Sequence, residues 1–199
     1  MLQIVAGSAR ASDYFRSMTS GSSSDANGSR TTGNHIDRHG SGKSGAKMDS
    51  NDVSGSMQGM RVFLVEDNPQ HSFVAVKVIQ QLLGEGSEVI VAENAEEALE
   101  LIGHFTEYDR PDLILVDLRL PDNGGFEVLS AARSHEPCAQ VPTFVLTSSL
   151  YDQDVAQSYD LGATAVLCKP LSRATLREEL VRIGKLAPKP TASRVSHAH

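Results

Sequence analysis

Four apolar runs in this chain each end in a residue suited to phosphate or metal chemistry. The run Arg61–Asn68, RVFLVEDN, ends in the acidic pair Glu66 and Asp67. PDLILVD, at 111–117, ends in Asp117, and the chain continues as Leu118, Arg119, Leu120 and Pro121. TFVLTSS, at 143–149, brings the hydroxyls Thr147 and Ser148, and TAVLCKP, at 164–170, brings Lys169 followed by Pro170. Three carboxylates drawn together repel one another unless a cation intervenes. A hard divalent ion such as Mg²⁺ meets that need with oxygen ligands, and the lack of neighbouring His or Cys in these runs argues against zinc. A carboxylate in such a site can act as a nucleophile toward phosphorus and form an acyl phosphate. Lys169 and Thr147 would then neutralise and hydrogen-bond the phosphoryl oxygens.

Taken singly, each group has a simpler role. An acidic pair before a helix complements the helix dipole. A lysine before proline is ordinarily a surface residue entering a helix, and Thr147 could serve as a cap. The coincidence of all of them at successive run ends is what points to chemistry.

The elements that must position these groups follow from the pattern. Unbroken apolar runs bounded by turn signals read as strands buried on both faces of a parallel sheet. Strands are expected at 61–65, 88–92, 112–116, 141–146 and 163–168. Helices are expected from Pro69 to about Leu83, from Ala95 to about Phe105, from Phe126 to about Ser134, from Asp152 to Leu161 and from Ser172 to about Lys185. Asn68 before Pro69, and Asn94 with Glu97 three residues on, are start signals. Phe73, Val76, Ile79, Gln80 and Leu83 are expected on the inner face of the first helix. Strands alternating with helices imply right-handed crossovers and one α/β, doubly wound, five-stranded parallel sheet in the order 2-1-3-4-5. In such sheets ligands gather at the carboxyl ends of the strands, where the chemical groups fall.

Composition divides the 199 residues. Residues 1–59 are rich in Ser, Gly, Asn and Asp and read as a disordered extension; residues 60–185 hold the domain; residues 186–199 read as a disordered tail. The opening MLQIVAGSARA is too short and weakly apolar for a signal peptide, and no stretch approaches a membrane span. Residues 60–184 carry 9 Lys and Arg against 20 Asp and Glu, a balance of −11 within the chain's net −7. Such an acidic domain argues against direct nucleic-acid binding. Cys138 and Cys168 lack metal or redox spacing and are expected as reduced thiols, Cys168 in a core strand of a cytoplasmic protein.

From Met60 to Lys185 these residues resemble the receiver domain of two-component response regulators, a flavodoxin-like fold. The resemblance rests on Glu66-Asp67, Asp117 in VDLRLP, Thr147, and Lys169-Pro170. It implies a stand-alone receiver that takes a phosphoryl group from a histidine kinase phosphohistidine, or from a histidine phosphotransfer protein, onto Asp117 as 4-aspartylphosphate. Asp67, Asp117 and the backbone carbonyl of Arg119 would bind Mg²⁺ directly, with Glu66 acting through water. Thr147, Ser148 and Lys169 would line the phosphoryl pocket, edged by Arg119, and Pro170 would be a cis-proline. The stretch SYDLGATAVLCKP is also similar to receivers that partner bacterial phytochrome-type kinases. Signalling would run through a downstream protein or a homodimer on the 152–185 face. Such a protein is not an enzyme in the ordinary sense, since it promotes its own phosphorylation and dephosphorylation.

The sequence departs from the family pattern in three places. Val166 stands where the family carries an aromatic switch residue. Asn123-Gly124-Gly125 replaces a common Met-Asp-Gly, and Ser148 replaces a small Ala. Three other readings stand beside the receiver. A pseudo-receiver would dock without being phosphorylated, an option that Val166 keeps open. A haloacid-dehalogenase-type phosphatase needs a second Asp two residues after the nucleophile, where this chain has Arg119. A flavodoxin-like cofactor binder would need a glycine-rich phosphate loop after the first strand, where Glu66 and Asp67 stand instead.

Overall fold

A computed structural model describes residues 8–10, 59–84, 86–148 and 151–188. Its strands are β1 (Ser8–Arg10), β2 (Arg61–Val65), β3 (Glu88–Ala92), β4 (Leu113–Asp117), β5 (Thr143–Thr147) and β6 (Ala165–Cys168). Its α-helices are α1 (Pro69–Leu83), α2 (Ala95–His104), α3 (Gly124–Ser134), α4 (Asp152–Asp160) and α5 (Arg173–Arg182). The sheet order is β1-β3-β2-β4-β5-β6, and every pairing is parallel. From β3 to β6 this is the 2-1-3-4-5 order that the alternating pattern predicts.

The sixth strand corrects part of the expectation for the first 59 residues. Ser8–Arg10 pairs with Val89–Val91 along the outer edge of β3. Composition misses it because edge pairing uses backbone N–H and C=O groups and needs no large side chain. The rest of that segment, and residues 189–199, lie outside the described residues.

The period of two along each strand builds two cores. Val62, Leu64, Leu113 and Leu115 face α1 and α5, among them Ile79, Leu176 and Leu180. Phe63, Val65, Ile114 and Val116 face α2 and α3, with Leu101, Ile102 and Val128. A smaller cluster of Leu118, Leu129, Val145 and Ala163 takes in the half-buried Phe126, Leu161 and Val166. The start signals hold. Asn68 accepts from the backbone N–H of Gln70 and His71 at 2.9 and 3.2 Å, and Asn94 accepts from Glu97 N–H at 2.8 Å.

Two side chains lie elsewhere than their spacing predicts. Phe73 is 53% exposed, because the buried stripe of α1 runs through Ala75, Val76, Ile79, Gln80 and Leu83. Its ring lies under the Lys77 ammonium, 5.8 Å from the centroid. Cys168 is exposed at the last residue of β6, whereas Cys138 is buried, and burial pushes its thiol up to about 11.

At the amino ends of the strands, Arg61 Nε lies 2.7 Å from Glu88 Oε2, and its backbone N–H donates to Asp112 Oδ2 at 2.9 Å. On the flank, Arg133 donates to the carbonyls of Gly162, Ala139 and Val141 at 2.9, 2.6 and 3.0 Å. It ties the end of α3 to the turn after α4 and to the entrance of β5.

Candidate functional site

Parallel strands place their carboxyl ends on one rim, and the chemical groups follow. Glu66 and Asp67 continue β2, Asp117 closes β4, Thr147 closes β5 and Lys169 follows β6. The structure brings Glu66, Asp67 and Asp117 together, with one carboxylate oxygen from each within 4.8 Å of the others. Glu66 and Asp117 are buried, while Asp67 is exposed. Lys169 Nζ sits 2.6 Å from Glu66 Oε2 and 2.6 Å from Asp117 Oδ2. The Lys169 side chain is only 8% exposed, so this triad is largely withdrawn from water.

Backbone geometry fixes Asp117 further. The Arg119 N–H donates to Asp117 Oδ1 at 2.9 Å, and Leu118 N–H donates to Leu146 O at 2.8 Å. Gly125, in the first turn of α3, lies directly over this strand end. A Cβ there would collide with Asp117 O and come within 2.7 Å of Leu118 O. Thr147 is fully buried, and its carbonyl accepts from Lys169 N–H at 2.7 Å. Ser148 is exposed at the rim, and the Lys169–Pro170 peptide is cis.

The electrostatics of Glu66 follow from burial. Desolvation pushes its carboxyl above the ordinary carboxylate value, the Lys169 hydrogen bond pulls the other way, and the nearby Asp117 charge pushes it up again. Glu66 Oε2 is buried and faces the Lys169 ammonium at 2.6 Å. Three hard oxygen donors gathered on one rim, with two buried carboxylates sharing a single ammonium, fit a divalent cation such as Mg²⁺. Each of these residues stood at the end of an apolar run and was legible in the sequence.

Two contacts were not. His71, half-exposed on the first turn of α1, places Nδ1 3.3 Å from Glu66 Oε1. Its position three residues after the Asn68 cap turns it back toward the strand end, a signal that helix phase could have supplied. Arg119 reaches Asp154 on α4, with Nη2 2.9 Å from Oδ2. Nothing in the spacing of 35 residues announces that pair. Beside the acids a cleft of about 190 Å³ opens between α1 and the residues after β6, with Val74, Ala75, Pro170 and Leu171 on its apolar side and His71 and Ser148 on its polar side.

Comparison with known proteins agrees with this geometry. The profile of the response regulator receiver domain matches residues 62–181. The chain is 31% identical over 138 residues to the probable methanogenesis regulatory protein FilR2 of Methanothrix harundinacea, covering 68% of this chain and 88% of that protein. Among solved structures, the bacteriophytochrome response regulator AtBRR is 29% identical with a TM-score of 0.55, covering 65% of this chain and 95% of that one. The receiver domain of a Pseudomonas aeruginosa PAO1 sensor histidine kinase, crystallised with magnesium coordinated in its active-site cleft, is 31% identical with a TM-score of 0.54, covering 63% and 98%. The profile match spans most of the chain and every residue of the rim, so this protein belongs to the response regulator receiver family.

Proposed function

We propose that Asp117 is the phosphoacceptor of a His-to-Asp phosphorelay and that the chain signals by phosphorylation-dependent contact with another protein. The observation that carries this reading is the Lys169 ammonium held between Glu66 and Asp117 at 2.6 Å from each, on the rim where Asp67 also stands.

In this reading Asp67, Asp117 and the Arg119 carbonyl hold Mg²⁺, with Glu66 acting through water. The ion would screen the charge of the incoming phosphoryl group and of the carboxylate that attacks it. Asp117 supplies the nucleophile: one of its oxygens forms the new P–O bond as the P–N bond of the donor phosphohistidine breaks and its imidazole leaves. The Arg119 N–H holds Oδ1 at 2.9 Å, which fixes the carboxylate plane before the donor arrives. Lys169, held against Asp117 Oδ2, would meet a phosphoryl oxygen from where it stands, and the hydroxyls of Thr147 and Ser148 offer further donors. The donor would be the phosphohistidine of a histidine kinase or of a histidine phosphotransfer protein, and the cleft beside the acids, with Glu66, Ser148 and Lys169 in its lining, leaves the rim open on that side. Hydrolysis by water would return the carboxylate and reset the switch. None of the described helices is long and apolar enough to cross a membrane, and a cytoplasmic setting suits this chemistry.

The test is direct. Purified chain treated with acetyl phosphate and Mg²⁺ should gain one phosphoryl mass, mapped to Asp117. The gain should vanish in Asp117→Asn and in EDTA. A folded chain that binds Mg²⁺ yet never gains the mass would instead be a docking module.

A further inference from the structure

Arg119 touches the acceptor and α4 at once. Its N–H donates to Asp117 Oδ1 and its guanidinium donates to Asp154 Oδ2, both at 2.9 Å. Asp154 lies in the first turn of α4, and that helix is weakly anchored. Of its nine residues only Ser158 is buried, and its N-cap, Tyr151, makes no side-chain capping bond. The helix carries no Lys or Arg of its own, while Asp152 and Asp154 both stand in its first turn. Elements with so few buried contacts open at low free energy.

The ion pair itself is exchangeable. Arg119 and Asp154 side chains are 55% and 25% exposed, and a pair this open to water is weak and screened by salt. A phosphoryl group adds roughly −1.5 to −2 of charge and three acceptor oxygens. Planar guanidinium groups pair with such oxygens in two-point fashion, which a single carboxylate oxygen at the surface does not match. Lys169 is already shared between Glu66 and Asp117, so Arg119 is the nearby described cation whose present partner is the easier to give up.

We infer that Arg119 reports the state of Asp117 to α4: on phosphorylation its guanidinium leaves Asp154 for the phosphoryl group, and the first turn of α4 loosens. The inference rests on the acceptor reading of Asp117. It supplies a route of coupling that needs no aromatic ring at Val166, since the signal travels through the loop after β4 and not through the β6 core. The surface it alters is the exposed face of α4, where Tyr159 is 50% exposed.

Hydrogen–deuterium exchange on the full chain, with and without acetyl phosphate and Mg²⁺, tests it, with intact mass read on the same samples. Phosphorylation should speed exchange across Asp152–Asp160 by about two- to fivefold, the range an exposed ion pair supports. Asp154→Asn should show that faster exchange already at rest, should still gain the phosphoryl mass, and should gain no further exchange from it. Asp154→Glu should restore the response. Phosphoryl mass with unchanged α4 exchange overturns the coupling and leaves the acceptor intact. A response in Asp154→Asn equal to that of the unaltered chain overturns the Arg119–Asp154 route. No phosphoryl mass on Asp117 overturns the acceptor reading and the coupling together.

Discussion

Lys169 Nζ lies 2.6 Å from Asp117 Oδ2, on a side chain that is almost fully withdrawn from solvent. The same nitrogen faces Glu66 Oε2 at 2.6 Å, so one positive charge holds two buried negative ones. Removing it leaves both carboxylates uncompensated. Lys169→Met should therefore lower stability at neutral pH by about 3 kcal/mol, the scale for breaking a buried pair on one side. Urea unfolding should show a smaller loss near pH 5, where protonation relieves the repulsion, and a partial recovery in Mg²⁺. A loss equal at both pH values and indifferent to Mg²⁺ would mean that the lysine acts by packing alone.

The Glu66 carboxyl, pushed up chiefly by burial, gives a pH signature. The folded chain keeps this proton at a pH where the unfolded chain, with an ordinary value near 4.5, has lost it. The native state then binds more protons than the unfolded state, so stability falls as pH rises through that window and is unaffected below it. In EDTA, Glu66→Gln should abolish this fall and melt a few degrees above the unaltered chain at neutral pH, with the two converging in acid. Parallel melting curves across the whole range would contradict the assignment.

Gly125 and Gly103 make a matched pair for the packing argument. An added Cβ at Gly125 meets the backbone of Asp117 and Leu118, whereas at Gly103 in α2 it meets nothing within 4 Å. Gly125→Ala should cost about 1–3 kcal/mol and slow phosphorylation of Asp117 by displacing its strand end. Gly103→Ala should stabilise by about 0.5–1 kcal/mol and leave the phosphorylation rate unchanged. Thermal unfolding alongside acetyl phosphate kinetics separates the two, and equal effects at both positions would contradict the close approach.

Arg133 donates to three backbone carbonyls from two separate segments, and burial pulls its guanidinium below its ordinary value. Arg133→Met keeps much of the stem but orphans those carbonyls, on the half-buried Gly162 and Ala139 and the buried Val141. A loss of about 2–3 kcal/mol is expected in chemical denaturation, with the phosphoryl mass gain at Asp117 retained. A loss below about 0.5 kcal/mol would show that water replaces the guanidinium freely.

The sequence carried the rim well because its groups sit at the ends of apolar runs. Glu66, Asp117, Thr147 and Lys169 are each fixed by the length of one strand, a local property. The caps Asn68 and Asn94 are local too. What escaped was decided between segments. The Arg119–Asp154 pair joins a loop to a helix, and Arg133 joins α3 to turns far along the chain. Phe73 escaped because helical spacing alone does not show where along α1 the buried stripe, Ala75 to Leu83, begins. Ser8–Arg10 escaped because backbone pairing at an edge leaves little trace in side-chain pattern.

Because all six strands run the same way, the two rims of the sheet have separate duties. Arg61, Glu88 and Asp112 pair at the far rim and take no part in the chemistry. Tyr108, 99% exposed in the loop leading into β4, stands at that end. It is a natural handle: a chain anchored to a solid support through Tyr108 would present its acidic rim outward, open to any phosphodonor passing in solution.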